Sequence, residues 1–245
     1  MRQVPQLSKY LIIGNGRMAR HWAHYFKLSN IPFSSWNRND NSTADLIQKL
    51  KNHPYCLLCI NDDQIKDFHS QFKNNGHKFI HFSGSLVDED ILGFHPLMTF
   101  SHQLYDIEIY QSIYIVGSCD EDIFRDIFPD LKNKYAKVFS VEKALYHSLC
   151  VLAGNGTTLL WDLISQECEK LKLPQEAFQP YLKQVTENIL TQQQGRWTGP
   201  WYRKDKDTIE QNKKALEEGP LYNLYLELET LSQHSGMKNE KHPRV

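Results

Sequence analysis

The sequence predicts an α/β protein, a doubly wound parallel sheet of Rossmann type followed by an all-helical C-terminal domain. Three observations carry this. Short apolar runs alternate with polar amphipathic stretches through the first half of the 245 residues. The first run, Tyr10-Leu11-Ile12-Ile13, passes directly into a glycine turn. Past about Ser140 the apolar residues recur at helical spacing instead, as Leu145, Leu149, Leu152, Leu159, Leu160, Leu163 and Ile164.

Taken in order, the expected strands are Tyr10–Ile13, Phe33–Trp36, Tyr55–Ile60, Lys78–Phe82, Leu92–Phe94 and Ser112–Val116. Each is a short apolar or β-branched run bounded by turn residues. Between them, helices are expected near Arg17–Ser29, Ala44–Asn52, Gln64–Asn74 and Asp120–Leu131, and right-handed crossovers then make the sheet parallel. One helix of some thirty residues is expected over Val141–Leu173, with others at Gln175–Gln194, Lys206–Glu217 and Pro220–Gln233. Pro174 and Gly219-Pro220 punctuate them. The domains read as 1–139 for the sheet, 140–233 for the helices, and a charged tail over 234–245 expected to be disordered.

Gly14-Asn15-Gly16-Arg17-Met18-Ala19 matches G-x-G-x-x-A. Strand, glycine turn and helix together are the context in which this pattern binds a dinucleotide. Gly14 permits the tight turn, Gly16 lets the backbone approach a pyrophosphate, and Ala19 lets helix and strand pack closely. The helix N-terminus offers unpaired N–H groups to the phosphates. At the end of the second strand, Ser35-Trp36-Asn37-Arg38 places no carboxylate where a ribose 2′-hydroxyl is usually read. Arg38 can pair a 2′-phosphate there, with Arg17 adding a second positive charge, so NADP(H) is expected over NAD(H). The alternatives are a solvated Arg38 with Asp40 reading the ribose. Asn61 and Asp62, after the third strand, are expected beside the coenzyme, although Asp62 or Asp63 could equally cap a helix.

Two turns are expected at the reacting end, Ser83-Gly84 after the fourth strand and His95-Pro96 at the fifth. Ser83 and Gly84 can approach a ligand with a hydroxyl and backbone N–H groups, and no G-x-S-x-G marks a serine hydrolase. Histidine exchanges protons near neutral pH, and His95 is held extended by its proline. On the long helix, His147, Val151, Asn155 and Thr158 fall within an arc of roughly 80° at about 100° per residue. Gly154 and Gly156 flank Asn155, which suggests a close neighbour to the backbone. A loop, Thr198-Gly199-Pro200-Trp201-Tyr202-Arg203-Lys204-Asp205, supplies a third set. Each of these has a structural alternative, in helix packing, a surface turn or a satisfied core histidine.

In this order, G-x-G-x-x-A, His-x-Ser-Gly, Gly-x-His-Pro-Leu, Tyr146-His147 followed by Asn155, and Thr-Gly-Pro-x-x-Arg-x-Asp resemble a bacterial family. It is the family of Rossmann-like proteins with a C-terminal domain of unknown function numbered 2520. These are related to pyrroline-5-carboxylate reductase and the deazaflavin-dependent NADP oxidoreductases. The resemblance spans roughly Tyr10 to Gln233 and implies an NADP-dependent oxidoreductase. Gly93-Phe94-His95-Pro96 also resembles the prephenate dehydrogenase segment that carries a substrate-facing histidine, and Asn155 is similar in placement to a substrate-facing Asn of β-hydroxyacid dehydrogenases. Two departures stand out. Arg203-Lys204-Asp205 replaces the usual Arg-Gly-Asp, and Val151 stands where those dehydrogenases carry a catalytic lysine.

The expectation is therefore reduction or oxidation of a small carbonyl, imine or alcohol at an interdomain cleft. His95 or His147 relays the proton, Asn155 and Ser83 orient the reacting group, and Thr158, Thr198 and Arg203 contact substrate. The alternatives are a non-catalytic NADP(H) sensor and a prephenate-dehydrogenase-like enzyme. A net charge of −1 gives no electrostatic case for nucleic acid or an anionic membrane. No apolar run approaches a membrane span, and no signal peptide is read before the first strand. Five cysteines without framework spacing fit a cytoplasmic protein, and Cys56 and Cys59 read as buried on opposite faces of a strand. No metal-ligand spacing occurs among the eleven histidines. The apolar long helix suggests a homodimer.

Overall fold

The computed structural model describes residues 8–73, 76–192, 197–217 and 219–234. The expected tail from residue 235 on, and the helix ends expected at Asn74 and Gln194, lie outside the described residues. The chain forms two compact units, one through Asn155 and one from Gly156 on.

The first unit is built on seven strands: β1 (Tyr10–Ile13), β2 (Phe33–Trp36), β3 (Tyr55–Leu58), β4 (Lys78–His81), β5 (Leu92–Pro96), β6 (Ile115–Gly117) and β7 (Tyr135–Lys137). Their spatial order is β2-β1-β3-β4-β5-β6-β7. Helices α1 (Arg17–Leu28), α2 (Thr43–Asn52), α3 (Asp62–Phe72), α4 (Ile107–Ser112) and α5 (Glu121–Ile127) join them. From β1 the chain steps outward to β2 and then back across to β3. The carboxyl ends of β1 and β3 thus flank a topological switch point, the place where ligands bind in open α/β sheets.

Side chains alternate along β1, and the two halves of the core follow from that. Tyr10 and Ile12 point into one buried cluster, with Trp22, Phe26, Leu57, Ile80, Phe94, Phe124 and Phe128. Leu11 and Ile13 point into the other, with Trp36, Leu46, Leu50, Leu58, Ile65 and Phe79. Cys56 and Cys59 fall in opposite clusters, as their spacing on a strand dictates. Burial pushes the Cys56 thiol up to about 12, which leaves it an inert packing group. Asn133, 1 % exposed, ties three segments together. Its amide donates to the carbonyls of Tyr110 and Ile113, both at 2.8 Å, and its oxygen accepts from the Tyr25 hydroxyl at 2.7 Å.

The sheet is mostly parallel, with one reversal. Pairs β1–β2, β1–β3, β3–β4 and β4–β5 are parallel, but β6 runs antiparallel to β5. The strand expected at Ser112–Val116 begins instead at Ile115, because Ile107–Ser112 forms α4. Six helical residues span only about 9 Å, too short to carry the chain back along the sheet, so β6 re-enters at the end where β5 finished. Strand β7, which the sequence reading missed, extends the sheet parallel to β6.

The strands are also stepped. His81 closes β4 opposite Gly93 near the start of β5. Strand β5 therefore runs on past the carboxyl edge of its neighbours and lifts His95 above it.

The long helix is not one α-helix. A 3-10 turn at Ser140–Glu142 leads into α6 (Lys143–Val151), a π-type turn covers Leu152–Gly156, and α7 (Thr157–Lys170) follows. The π turn holds Gly154, Asn155 and Gly156, whose low helix propensity favours the wider winding. The even spacing assumed for Val151, Asn155 and Thr158 does not hold through it. The second unit continues with a 3-10 turn at Gln175–Phe178, α8 (Gln179–Thr191), α9 (Pro200–Arg203), α10 (Lys206–Leu216) and α11 (Tyr222–His234). Asp205 caps α10 through the Thr208 N–H, and Lys213 joins Glu210 on α10 to Glu229 on α11 at 2.8 and 2.9 Å.

Gly14 is the tightest point of the first unit. Its φ is +127°, and a Cβ there would sit 2.2 Å from the Cys59 carbonyl oxygen. Gly14→Ala is expected to lower stability by at least about 2 kcal/mol, read as a shift of the urea unfolding midpoint. A midpoint within error of the wild type contradicts that account.

Candidate active site

The glycine turn opens one side of the switch point. Gly14 N–H donates to the Trp36 carbonyl at 2.9 Å, which sets the turn across β1 and β2. Gly16 then caps α1 with extended backbone, and no side chain accepts from the helix's first N–H groups. No acidic residue occupies the first turn of α1. A Cβ built on Gly16 would meet nothing within 4 Å, so the backbone N–H groups face open space.

That space is a groove of about 500 Å³. Gly14, Asn15, Gly16, Asn37, Arg38 and Asn61 line it together with Trp36, Ile60 and Gln64, and α3 closes it with Asp67, Phe68 and Gln71. Arg38 is exposed at its far end. Asp40 is turned away into its own loop, where its carboxylate accepts from the Asn37 amide at 3.0 Å. Asp67 is the acid that the groove does contain. Among the expected coenzyme residues, Ala19 is buried in the core and Met18 packs against it, while Arg17 is an exposed residue of the first turn. The residues that line the groove do not include these three.

A second constellation lies at the carboxyl ends of β4 and β5. The Ser83 hydroxyl donates to Asp62 at the start of α3, and its oxygen accepts from the N–H groups of Ser85 and Leu86 at 3.3 and 3.1 Å. Ser83 therefore holds its turn in shape, and its proton is committed to Asp62. The Ser83 N–H donates to His81 Nδ1 at 3.2 Å, which leaves the His81 proton on Nε2. Gly84 is wedged against two imidazoles. A Cβ there would lie 2.5 Å from His147 Cδ2 and 3.2 Å from His95 Nε2. His95 Nδ1 shares a 2.7 Å hydrogen bond with the Tyr146 hydroxyl, and the rings of His95 and His147 stand edge-on with centroids 6.3 Å apart.

The sequence reading placed His95 and His147 here but missed two neighbours from the same helix, Lys143 and Tyr146. Lys143 is 2 % exposed. A Cβ on Gly93 would lie 3.4 Å from its Nζ and 2.7 Å from His81 Nε2, so both groups close on one point. A signal was present, since Lys143, Tyr146 and His147 are spaced i, i+3, i+4, one turn before the stripe that was read. Asn155, Thr158, Thr198 and Arg203 are exposed, the last three in the second unit.

Burial is the main electrostatic force at this site. It pushes His95 down to about 4, with the charges of His147 and Lys143 adding to the effect. It pushes His81 equally low, with Lys143 adding and Asp88 opposing. The Tyr146 hydroxyl is raised by the same cause and keeps its proton. Lys143 is lowered by burial, against the pull of Asp62. Among the described residues, no group of three or more His, Cys, Asp or Glu side chains is placed to hold a metal ion. No described helix is long and apolar enough to cross a membrane.

A sheet of this order, an open glycine turn at its switch point and a histidine pair beyond it define a Rossmann-like fold with a second, polar site. Comparisons with known proteins agree on the fold. Residues 117–231 match the family model described as Domain of unknown function (DUF2520). No curated protein matches the chain. Among solved structures, a putative NADP oxidoreductase from Bacteroides fragilis is 20 % identical with a TM-score of 0.72, over 92 % of this chain and 98 % of that one. The Plasmodium falciparum pyrroline carboxylate reductase with NADP bound is 12 % identical with a TM-score of 0.57, covering 95 % and 96 %. A reductive aminase from Aspergillus terreus in complex with NADPH is 14 % identical with a TM-score of 0.57, covering 96 % and 95 %.

The two depressed histidines make a pH prediction. Their unfolded value near 6.5 exceeds the folded value of about 4, so the unfolded chain binds more protons between those limits. Stability is expected to be full above about pH 6.5 and to fall as pH drops toward 4. In NMR spectra, the His81 and His95 ring protons should not titrate between about pH 5.5 and 8. Midpoints near 6.5 for both overturn the assignment of neutral, buried rings.

Proposed function

We propose that the protein binds NADP(H) and uses it to oxidise or reduce a small carbonyl, imine or alcohol. One observation carries the reading. The uncapped N-terminus of α1, with free space over Gly16, lies in the same groove as Arg38. Backbone N–H groups and a helix dipole suit a pyrophosphate, and a guanidinium suits a 2′-phosphate. Asn37 and Asn61 complete the wall, and Asp67 stands where it can accept from a ribose or adenine N–H or O–H group.

The bound coenzyme supplies a hydride, and the chain's own residues orient what receives it. Asp62 and Ser83 fix the turn at Gly84. His95, neutral and steadied by Tyr146, and His147 present ring N–H groups to the reacting heteroatom. Asn155, Thr158 and Thr198 are proposed as substrate contacts, and Arg203 as the partner of a substrate carboxylate. The named relatives, a pyrroline carboxylate reductase and a reductive aminase, favour a carbon–nitrogen double bond among the candidates. The functional division we propose is a coenzyme domain over 1–139 and a substrate and dimerisation domain over 140–233.

Dimerisation is part of the proposal. Val141 is 90 % exposed and Leu152 68 %, and Leu145 and Leu149 lie exposed between them. A second copy would remove this apolar surface from water. The five free cysteines suit a reducing cytoplasm.

Calorimetry tests the coenzyme. NADPH is expected to bind more tightly than NADH, and Arg38→Ala to weaken NADPH about 10- to 100-fold with little effect on NADH. Equal affinities in the wild type overturn the 2′-phosphate assignment. Tight binding without turnover on oxo acids, imines and aldehydes would instead mark a sensor. Light scattering at micromolar concentration should give twice the chain mass of 28.7 kDa, and a monomeric mass contradicts the dimer.

A further inference from the structure

Reduction of a polar double bond needs a proton as well as a hydride, and four of the groups described so far do not store one well. His81 and His95 are held neutral. Tyr146 keeps its proton, and the Asp62 carboxylate already accepts from Ser83. Lys143 is different. It opens α6 and is 98 % removed from solvent, yet none of the described hydrogen bonds or ion pairs engages its amine. An ammonium drawn this far out of water is costly, and proteins retain few that do nothing.

Its surroundings face it from four segments. His81 on β4 and Gly93 on β5 meet its Nζ at one point, and Asp62 on α3 and Cys119 after β6 act on it electrostatically. Lys143 and His147, four residues apart, project from the same side of α6. His147 and His95 abut Gly84, and Lys143 lies one helical turn before His147. With Nδ1 engaged by the Ser83 N–H, the His81 proton sits on Nε2, so that nitrogen offers the ammonium no lone pair.

We propose that Lys143 is a further catalytic residue, the proton donor to the oxygen or nitrogen of the bond being reduced. This rests on the reading of the protein as an NADP(H) oxidoreductase. As the carbon gains a hydride from the coenzyme, the π electron pair moves onto the heteroatom. That atom takes a proton from Lys143 Nζ, one N–H bond breaking as the new O–H or N–H bond forms. Lys143 is left as a neutral amine and recovers its proton from solvent. In the oxidative direction the same amine accepts the proton. Desolvation lowers the pKa of the ammonium, which eases release of its proton.

The test follows the ε-CH₂ signals of lysines in full-length, isotope-labelled protein across a pH titration. The Lys143 signal is the one absent from both Lys143→Met and Lys143→Arg, so a failure of either variant to fold leaves the assignment intact. Its midpoint is expected below that of the protein's exposed lysines. With NADP⁺ bound, whose nicotinamide ring is cationic, the midpoint should fall further than with NADPH. An ordinary midpoint overturns the proposal, as do equal midpoints with both nucleotides bound. If neither nucleotide binds, the oxidoreductase reading itself fails, and the role of Lys143 with it.

Discussion

The close approach of β1 to β3 at Gly14 is the constraint on which the rest of the first unit depends. The carbonyl of Cys59 comes so near that no side chain fits at residue 14, and the backbone turns through a positive φ to leave the strand. That turn aims Gly16 and the start of α1 back over the sheet edge. The helix then buries Trp22 and Phe26 against the β1 face that carries Tyr10 and Ile12. Packing and ligand geometry are therefore one feature. The groove exists because two strands are too close for anything but glycine between them.

The second site is shaped by another backbone device, the step between β4 and β5. Because β5 begins where β4 ends, a single face presents His81 beneath and His95 above the sheet edge. Gly84 then lets α6 bring an imidazole against the turn, since a methyl there would collide with His147, whereas a methyl at Gly93 would collide with His81 and only touch the Lys143 amine. Low dielectric follows from this close packing and explains why the histidines are held neutral and the lysine destabilised as an ion. Chemistry and burial come from the same contacts. A site of this kind gains directional N–H groups without carrying a permanent charge on each ring.

The second unit follows different rules. Its helices are joined by capping and ion pairs, such as Asp205 on α10 and Lys213 between Glu210 and Glu229, and much apolar surface remains open. The π turn at Leu152–Gly156 marks where the first compact unit gives way to the second. Glycines on both sides of Asn155 relax the helix there and set the side chain on a wider winding than its neighbours.

Much was legible in the residues alone. Short apolar runs located the first five strands and a period of 3.6 the helices between them, because central strands are buried on both faces and helices on one. The Gly14 and Gly16 pair announced the turn, since few other residues tolerate it. Sequence also separated Cys56 from Cys59, a plain consequence of strand alternation. What it did not reveal was register and burial. The reversal of β6 depends on how far α4 carries the chain, and β7 is too short to leave a pattern. Lys143 looks like any charged residue at the start of a helix. Only tertiary packing, which strips most of its solvent and leaves Asp62 to act on it from a distance, makes it a candidate for chemistry. Local propensity is written along the chain, whereas desolvation arises from segments that meet only once the chain has folded.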